Sequence, residues 1–259
     1  MNYRNDSFRS PRIFEEEYVT IQAMNAFISK VFGWMFIGLL LTSVISYGIF
    51  SMAISGQYLG LIEFLYLSPF FYVILIGELI LVWTFSAKIT RLKYNTALTM
   101  FLLYSALNGV TLSFLLFVFE SSSIISSLAI TAVTFGVMCI YGYVTKTDLT
   151  RYRNILFMGL IGMIILSIVN IFLRSSGMDW FITIIGLFIF LGITAYDMQK
   201  LKSFYFGTEG NEVLRRNLGI FGALALYMDF VNLFLRILRI FGKKSNIRIL
   251  FKNYQLSIF

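Results

Sequence analysis

The sequence contains no histidine, one cysteine and two prolines among its 259 residues. Histidine is the side chain whose ordinary pKa lies nearest to neutral pH, so any proton sensing in this chain must use carboxylates. The single Cys139 lies in an apolar run, which excludes a disulfide framework and a cysteine metal site. The acidic residues are therefore the first place to look for chemistry.

Charged residues are also scarce: they make up 13% of the chain, whereas hydrophobic residues make up 58%. An average soluble domain is about 25% charged and uses that charge to cover its surface. The deficit indicates that lipid faces much of this protein. The net charge of +8 comes from basic residues scattered between apolar runs. That pattern favours contact with anionic lipid headgroups and argues against nucleic acid as a partner.

Seven apolar runs divide the sequence, and each is close to the roughly 20 residues that a membrane-spanning helix needs. They cover residues 31–50, 69–87, 97–119, 124–144, 155–173, 180–197 and 218–241. We therefore predict an all-α integral membrane protein with seven transmembrane helices, embedded in a lipid bilayer. The predicted division is a solvated N-terminal arm over residues 1–25, one membrane domain over 26–242 and a C-terminal tail over 243–259.

Lysine and arginine alternate between the connections. The N-terminal arm and the second, fourth and sixth connections contain them, the first and third contain none, and the fifth contains only Arg174. By the positive-inside rule, we expect the N-terminus to be cytoplasmic. Lys243 and Lys244 after the seventh run break this pattern. That run therefore either crosses against the rule or re-enters the membrane and returns to the cytoplasm.

Three acidic residues, Glu78, Asp197 and Asp229, fall inside the predicted spans. A carboxylate at the bilayer centre costs about 3 kcal/mol on insertion scales, so each of them requires a partner or a function. At about 3.6 residues per turn, Asn232 and Arg236 lie on the same helical face as Asp229 and are candidate supporting residues. This polar stripe predicts that the seventh helix packs against protein or water rather than lipid.

Two interpretations of the stripe are open. In the structural one, Asp229 pairs with Asn232 or Arg236 and only fixes the packing of the helix. In the functional one, the acids form a site for protons or for a hard cation such as Ca²⁺, which prefers carboxylate oxygens. Two carboxylates about 4 Å apart repel by about 4 kcal/mol at an effective dielectric of about 20. A paired site would therefore respond to pH without histidine.

The seventh run carries a recognisable motif. Residues 219–239, GIFGALALYMDFVNLFLRILR, closely resemble the last helix of the Bax inhibitor-1 family, also called the transmembrane Bax inhibitor motif family. Residues 195–200, AYDMQK, resemble the end of that family's sixth helix. Glu78 and residues 108–111, NGVT, resemble its second and third helices. The similarity covers about residues 25–242 and is typical of a bacterial member.

The resemblance implies that the seventh helix is enclosed by the other six and that the activity is a pH-sensitive calcium leak. It implies that Asp197 and Asp229 form a hydrogen-bonded pair that senses protons and gates the pore. A basic residue after the second helix, Arg91 or Lys88, would latch the closed state by pairing with Asp197. Glu78 is assigned to the ion pathway, so Asp197, Asp229 and Glu78 are candidate transient ligands of Ca²⁺. No cofactor is expected besides the permeant ion.

Three other functions compete with a channel. Intramembrane aspartyl proteases also pair two aspartates, but they resemble a Gly-x-Gly-Asp pattern with a later Pro-Ala-Leu. This chain has only Pro11 and Pro69, so we expect no enzyme. A proton-coupled transporter would be favoured by an inverted repeat, and the sequence contains none that we find.

The third competitor stays open at this point. The protein would be a modulator without flux of its own, binding a membrane-bound protease or other membrane proteins of cell-death and stress machinery. Short connections favour a bacterial inner membrane as the location in either case.

The predicted orientation can be tested by cysteine labelling in a Cys139→Ser background. The Ser122→Cys variant should react with a membrane-impermeant maleimide added to intact cells, because residue 122 lies in a connection without basic residues. The Asn95→Cys variant should react only after the membrane is opened, and the Cys139→Ser parent reports background labelling. Reaction of Asn95→Cys in intact cells would contradict the orientation.

Overall fold

The computed structural model describes residues 11–55, 64–66 and 68–245, with side chains from residue 18 onward. Within that part of the chain lie seven long helices, each long and apolar enough to cross a membrane. They are α1 (Pro11–Ile54), α2 (Phe70–Lys88), α3 (Tyr94–Leu112), α4 (Ser121–Val144), α5 (Arg153–Leu173), α6 (Ser176–Phe206) and α7 (Glu212–Phe241). The prediction of an all-α membrane protein with seven transmembrane helices is confirmed.

Two helices extend well beyond the apolar runs that predicted them. Helix α1 begins at Pro11, so part of the predicted N-terminal arm is helical. Helix α6 continues to Phe206, so Asp197 lies nine residues before its end rather than at the end of the sixth run. Residues 1–10 and 246–259 of the predicted arm and tail lie outside the described residues, and the division into arm, domain and tail stays a prediction.

Apolar side chains cover the outside of the bundle. Leu79 and Trp83 of α2 are each 72% exposed, and Phe172 of α5 is 81% exposed. Met163 is the only buried residue that α5 contributes among its described positions. Apolar surface of this extent would drive aggregation in water but is stable against lipid tails. The exposed apolar side chains and the hydropathy of the helices therefore both indicate that a lipid bilayer surrounds the bundle.

A tight turn joins α6 to α7 and sets how these two helices pair. Gly210 has a φ of 75°, in the left-handed region that glycine adopts without strain. Asn211 then caps the N-terminus of α7, because its Oδ1 accepts a hydrogen bond from the Leu214 backbone N–H at 3.0 Å. The Arg215 guanidinium donates back to the Thr208 carbonyl oxygen at 3.3 Å. These contacts hold the start of α7 against the end of α6.

Helix α7 has the largest buried share of the seven helices. It packs along α1, α3, α4 and α6. Its Phe221 also stacks with Phe85 of α2 at a centroid distance of 6.2 Å, and its Arg236 contacts α5. Leu226 and Tyr227 are fully buried. Helix α7 therefore contributes most to the core, while its enclosure by all six other helices stays a prediction.

Close contact between α4 and α6 depends on a glycine. A Cβ at Gly142 of α4 would collide with the backbone carbonyl of Ala195 in α6. The absence of a side chain lets the two backbones approach, as small residues do at helix interfaces in membranes. Because Ala195 lies two residues before Asp197, this contact also sets the position of the predicted sensor.

Replacing Gly142 should therefore destabilise the bundle. Gly142→Ala forces α4 and α6 apart, and we expect a loss of about 1–3 kcal/mol, measured as a lower thermal unfolding midpoint in detergent. Gly136→Ala on the same helix is the matched control, because a Cβ there meets nothing within 4 Å. Equal midpoints for the two variants would show that the α4–α6 contact is not close-packed.

Candidate functional site

Asp229 lies on α7 and is only 4% exposed. Its Oδ2 atom is buried and has no hydrogen-bond partner within the described part of the chain. A buried polar atom without a partner loses its hydration and regains nothing, which costs stability. A carboxyl buried within a membrane-spanning helix indicates a role other than packing, because packing alone favours an apolar side chain.

Asp197 lies on the neighbouring helix α6 and is half-buried. The charges of Asp197 and Asp229 are close enough to interact, and they repel when both groups are ionised. The buried thiol Cys139 of α4 also lies within the field of Asp229. The structure thus brings the two predicted aspartates within electrostatic range of each other, although they are 32 residues apart in the chain.

Lys200 is the cation that attracts Asp197 in this structure. It follows Asp197 by three residues on α6, which is the spacing at which helical side chains meet. Its Nζ lies 5.4 Å from the ring centroid of Phe204 and 5.8 Å from that of Phe221. Lys200 was not among the predicted site residues, although its three-residue spacing from Asp197 is visible in the sequence.

The two predicted latch residues lie apart from Asp197. Lys88 ends α2 and Arg91 lies in the turn that follows, where its backbone N–H donates to the Lys88 carbonyl oxygen at 2.9 Å. Both side chains are exposed. Neither makes an ion pair with an acidic residue in the described part of the chain. A latch between either residue and Asp197 is not formed in this arrangement and stays a prediction.

Glu78 belongs to a second polar site between α2 and α3. It is 8% exposed. Its Oε1 accepts a hydrogen bond from Thr111 Oγ1 at 3.1 Å, and its Oε2 accepts one from Asn108 Nδ2 at 3.5 Å. The Asn108 Oδ1 atom is buried without a partner among the described residues. Glu78 is therefore partly satisfied by neutral donors and has no cationic partner there.

A hydroxyl network connects this second site to α7. Tyr227 and Tyr104 pack edge to face at a centroid distance of 5.9 Å, and the charge of Glu78 reaches both phenols. The Tyr227 hydroxyl lies 2.6 Å from Thr42 Oγ1. Thr42 in turn donates to the Ser105 carbonyl oxygen at 2.8 Å, so Tyr227 is the donor to Thr42. The network ties α1, α3 and α7 together.

The predicted calcium ligands are not gathered in one place. The charges of Asp197 and Asp229 interact with each other, whereas Glu78 lies in the second polar site between α2 and α3. In the described residues, no group of three or more carboxylate, thiol or imidazole side chains is arranged to hold a metal ion. A resident Ca²⁺ site normally has six to eight oxygen ligands. Any contact of Ca²⁺ with these acids would therefore be brief and successive.

The two supporting residues make contacts that do not involve Asp229. Asn232 Nδ2 donates to the Met228 carbonyl oxygen of its own helix at 2.8 Å. Arg236 Nη2 lies 3.2 Å from the Met163 sulfur of α5. The structural interpretation requires a contact between Asp229 and Asn232 or Arg236. Neither contact is present in the described part of the chain. Their supporting role in the site stays a prediction.

Comparison with known proteins gives consistent matches over most of the chain. The family described as "Inhibitor of apoptosis-promoting Bax1" matches residues 24–246. The Inner membrane protein YbhL of Escherichia coli strain K12 is 40% identical over 244 residues, which are 93% of this chain and 97% of that protein. An uncharacterized protein of Borreliella burgdorferi is 41% identical over 231 residues, 89% of this chain and 97% of that protein.

The Tyr227 network yields a stability prediction. Tyr227→Phe removes the hydrogen bond to Thr42 and should lower the free energy of unfolding by about 1 kcal/mol, measured by denaturant unfolding in detergent. Tyr104→Phe is the matched control, because no hydrogen bond is recorded for its hydroxyl in the described residues. If both variants lost the same free energy, the hydrogen bond between α1 and α7 would not be a source of stability.

Proposed function

This chain belongs to the Bax inhibitor family, and from that membership we propose that it is a passive, pH-sensitive calcium leak gated by Asp197 and Asp229. The observation that carries the proposal is the buried Oδ2 of Asp229, which has no hydrogen-bond donor in the described part of the chain although the carboxyl of Asp197 is within electrostatic range. We propose no enzymatic role.

A proton shared by the two carboxyls would supply the hydrogen-bond donor that Asp229 Oδ2 lacks in the described part of the chain. If one of the two carboxyls carries a proton, it can donate to the other, and the pair then holds a single negative charge. If both are ionised, they repel in a medium of low dielectric, where charges interact more strongly than in water. Low pH should therefore hold α6 and α7 together at this point, and higher pH should push them apart.

The surroundings of Asp229 fit a closed gate. Leu226 and Leu233, one turn before and one turn after Asp229 on α7, are fully buried, so side chains fill the interior on this side of the helix. Ion flow would require α7 to move relative to its neighbours. The separation of Glu78 from the aspartate pair suits a leak, because an ion that binds weakly at successive sites is also released easily.

Lys200 gives the closed arrangement a positive charge next to Asp197. In the proposed mechanism, Arg91 or Lys88 would pair with Asp197 only after a change in the turn that follows α2. The E. coli relative is called an inner membrane protein. We extend that location to this protein and place its N-terminus in the cytoplasm.

Calcium flux into liposomes containing only the purified protein tests the proposal. Wild-type flux should rise across a pH series, because loss of the shared proton separates the two carboxylates. Asp197→Asn and Asp229→Asn should each flatten the pH profile to within about twofold, and the double variant should add little, since coupled groups act as a unit. Glu209→Gln is the matched control, because Glu209 is exposed in the α6–α7 turn.

Two outcomes would overturn the proposal. Additive, independent pH shifts from the two single variants would show that the aspartates do not act as a pair. Absence of calcium flux at every pH, with the protein folded in the liposomes, would favour the modulator of other membrane proteins.

A further inference from the structure

We propose that a basic cavity between α1 and α7 binds an anionic phospholipid, with the phosphate held by Lys30 and Arg216. This inference goes beyond the proposed leak and does not depend on it. The cavity has a volume of about 710 Å³ and lies where the first turns of α7 meet α1, the start of α3 and the end of α6. These ends are the ones predicted to face the cytoplasm.

The charges that line the cavity are not balanced. Lys30, Arg215 and Arg216 are basic, and Glu212 is the only acidic residue of the lining. Arg215 is already committed, because its Nη1 lies 3.1 Å from Glu212 Oε1 and its Nε and Nη2 donate to Thr208. Two positive charges, those of Lys30 and Arg216, therefore remain for a ligand.

Lys30 and Arg216 are available to an oxyanion. Both side chains are exposed, and neither makes a hydrogen bond or an ion pair within the described part of the chain. The Arg216 guanidinium carbon lies 4.1 Å from the ring centroid of Tyr94. Contact with the ring face orients the guanidinium and leaves the N–H groups along its edges free, which suits the non-bridging oxygens of a phosphate.

The remainder of the cavity is apolar and aromatic. Phe27, Val31 and Trp34 of α1 line it together with Gly219 and Ile220 of α7. A Cβ at Gly219 would approach the Phe27 ring to 3.2 Å, so the glycine allows that ring to lie directly on α7. A free phosphate would gain nothing from these surfaces. An acyl chain would, and aromatic residues of this kind collect at the level of lipid headgroups.

The combination of two free cations with an apolar wall thus favours a phospholipid over a small anion. Basic pockets between transmembrane helices on the cytoplasmic side are known places for anionic headgroups. Phosphatidylglycerol offers a negative phosphodiester with two acyl chains, whereas phosphatidylcholine of the same chain length differs by carrying a compensating positive charge. The two lipids therefore separate charge recognition from simple hydrophobic contact.

Native mass spectrometry of the full-length protein in neutral detergent provides the test. We expect phosphatidylglycerol to bind at least about tenfold more tightly than phosphatidylcholine with the same chains, because two cations attract its uncompensated negative charge. The double variant Lys30→Gln/Arg216→Gln should lose that preference. The matched control Lys146→Gln/Arg151→Gln should keep it.

The control removes the same charge at exposed positions at the same end of the bundle. The Tyr143 hydroxyl near the end of α4 donates to Asn25 Oδ1 of α1 at 2.6 Å, which places Lys146 at the level of the cavity end of α1. Thermal unfolding midpoints of both double variants should match that of the wild type. If Lys30→Gln/Arg216→Gln is not folded, the two single variants replace it, and each should show a partial loss.

Three results would overturn the proposal. Equal loss in the two double variants would indicate diffuse attraction by the basic surface, without a site. Equal affinity of the wild type for the two lipids would exclude recognition of the headgroup charge. Displacement of phosphatidylglycerol by millimolar inorganic phosphate would assign the cations to a free oxyanion.

Discussion

The arrangement of this protein depends on one unfavourable feature, a carboxylate with an unpartnered oxygen buried in the middle of an apolar helix. Asp229 lies on the helix that contributes most to the core, and no described donor reaches its Oδ2. Protonation of the group, or a proton shared with a neighbour, relieves this cost. Asp197 on α6 is a neighbour within electrostatic range, so the proposed shared proton would couple the stability of the bundle to the protonation of this pair.

The two polar sites on α7 face different directions. Tyr227 and Asp229 are two residues apart and therefore point about 200° apart around the helix. Tyr227 is hydrogen-bonded to Thr42 of α1 and lies in the field of Glu78, whereas Asp229 faces α4 and α6. A rotation or shift of α7 at one site must therefore strain the other, which gives the proposed gate two defined contacts to break.

Charged residues at the two ends of α7 anchor it outside the apolar region. At one end, Arg215 holds the α6–α7 turn, and Arg216 faces the proposed lipid cavity. At the other, Arg239 Nη1 lies 2.8 Å from Asp179 Oδ1 of α6, and both side chains are about half exposed. Ion pairs of this exposure contribute little stability by themselves, so their main effect is on position. A lipid between α1 and α7 would add a restraint on the same helix.

The sequence by itself determined the seven spans and the three acids, because hydropathy and the cost of a buried charge are local properties. The apolar run ends at residue 197, whereas α6 continues to Phe206, and along this extension Lys200 lies over aromatic rings and Lys202 donates to the Tyr143 carbonyl oxygen. Only tertiary structure decided which acids lie within electrostatic range of each other, that Lys200 is the cation that attracts Asp197, and that Asn232 bonds to its own helix. These outcomes depend on contacts between helices that are distant in the chain, and a helical wheel contains no information about the neighbour it faces.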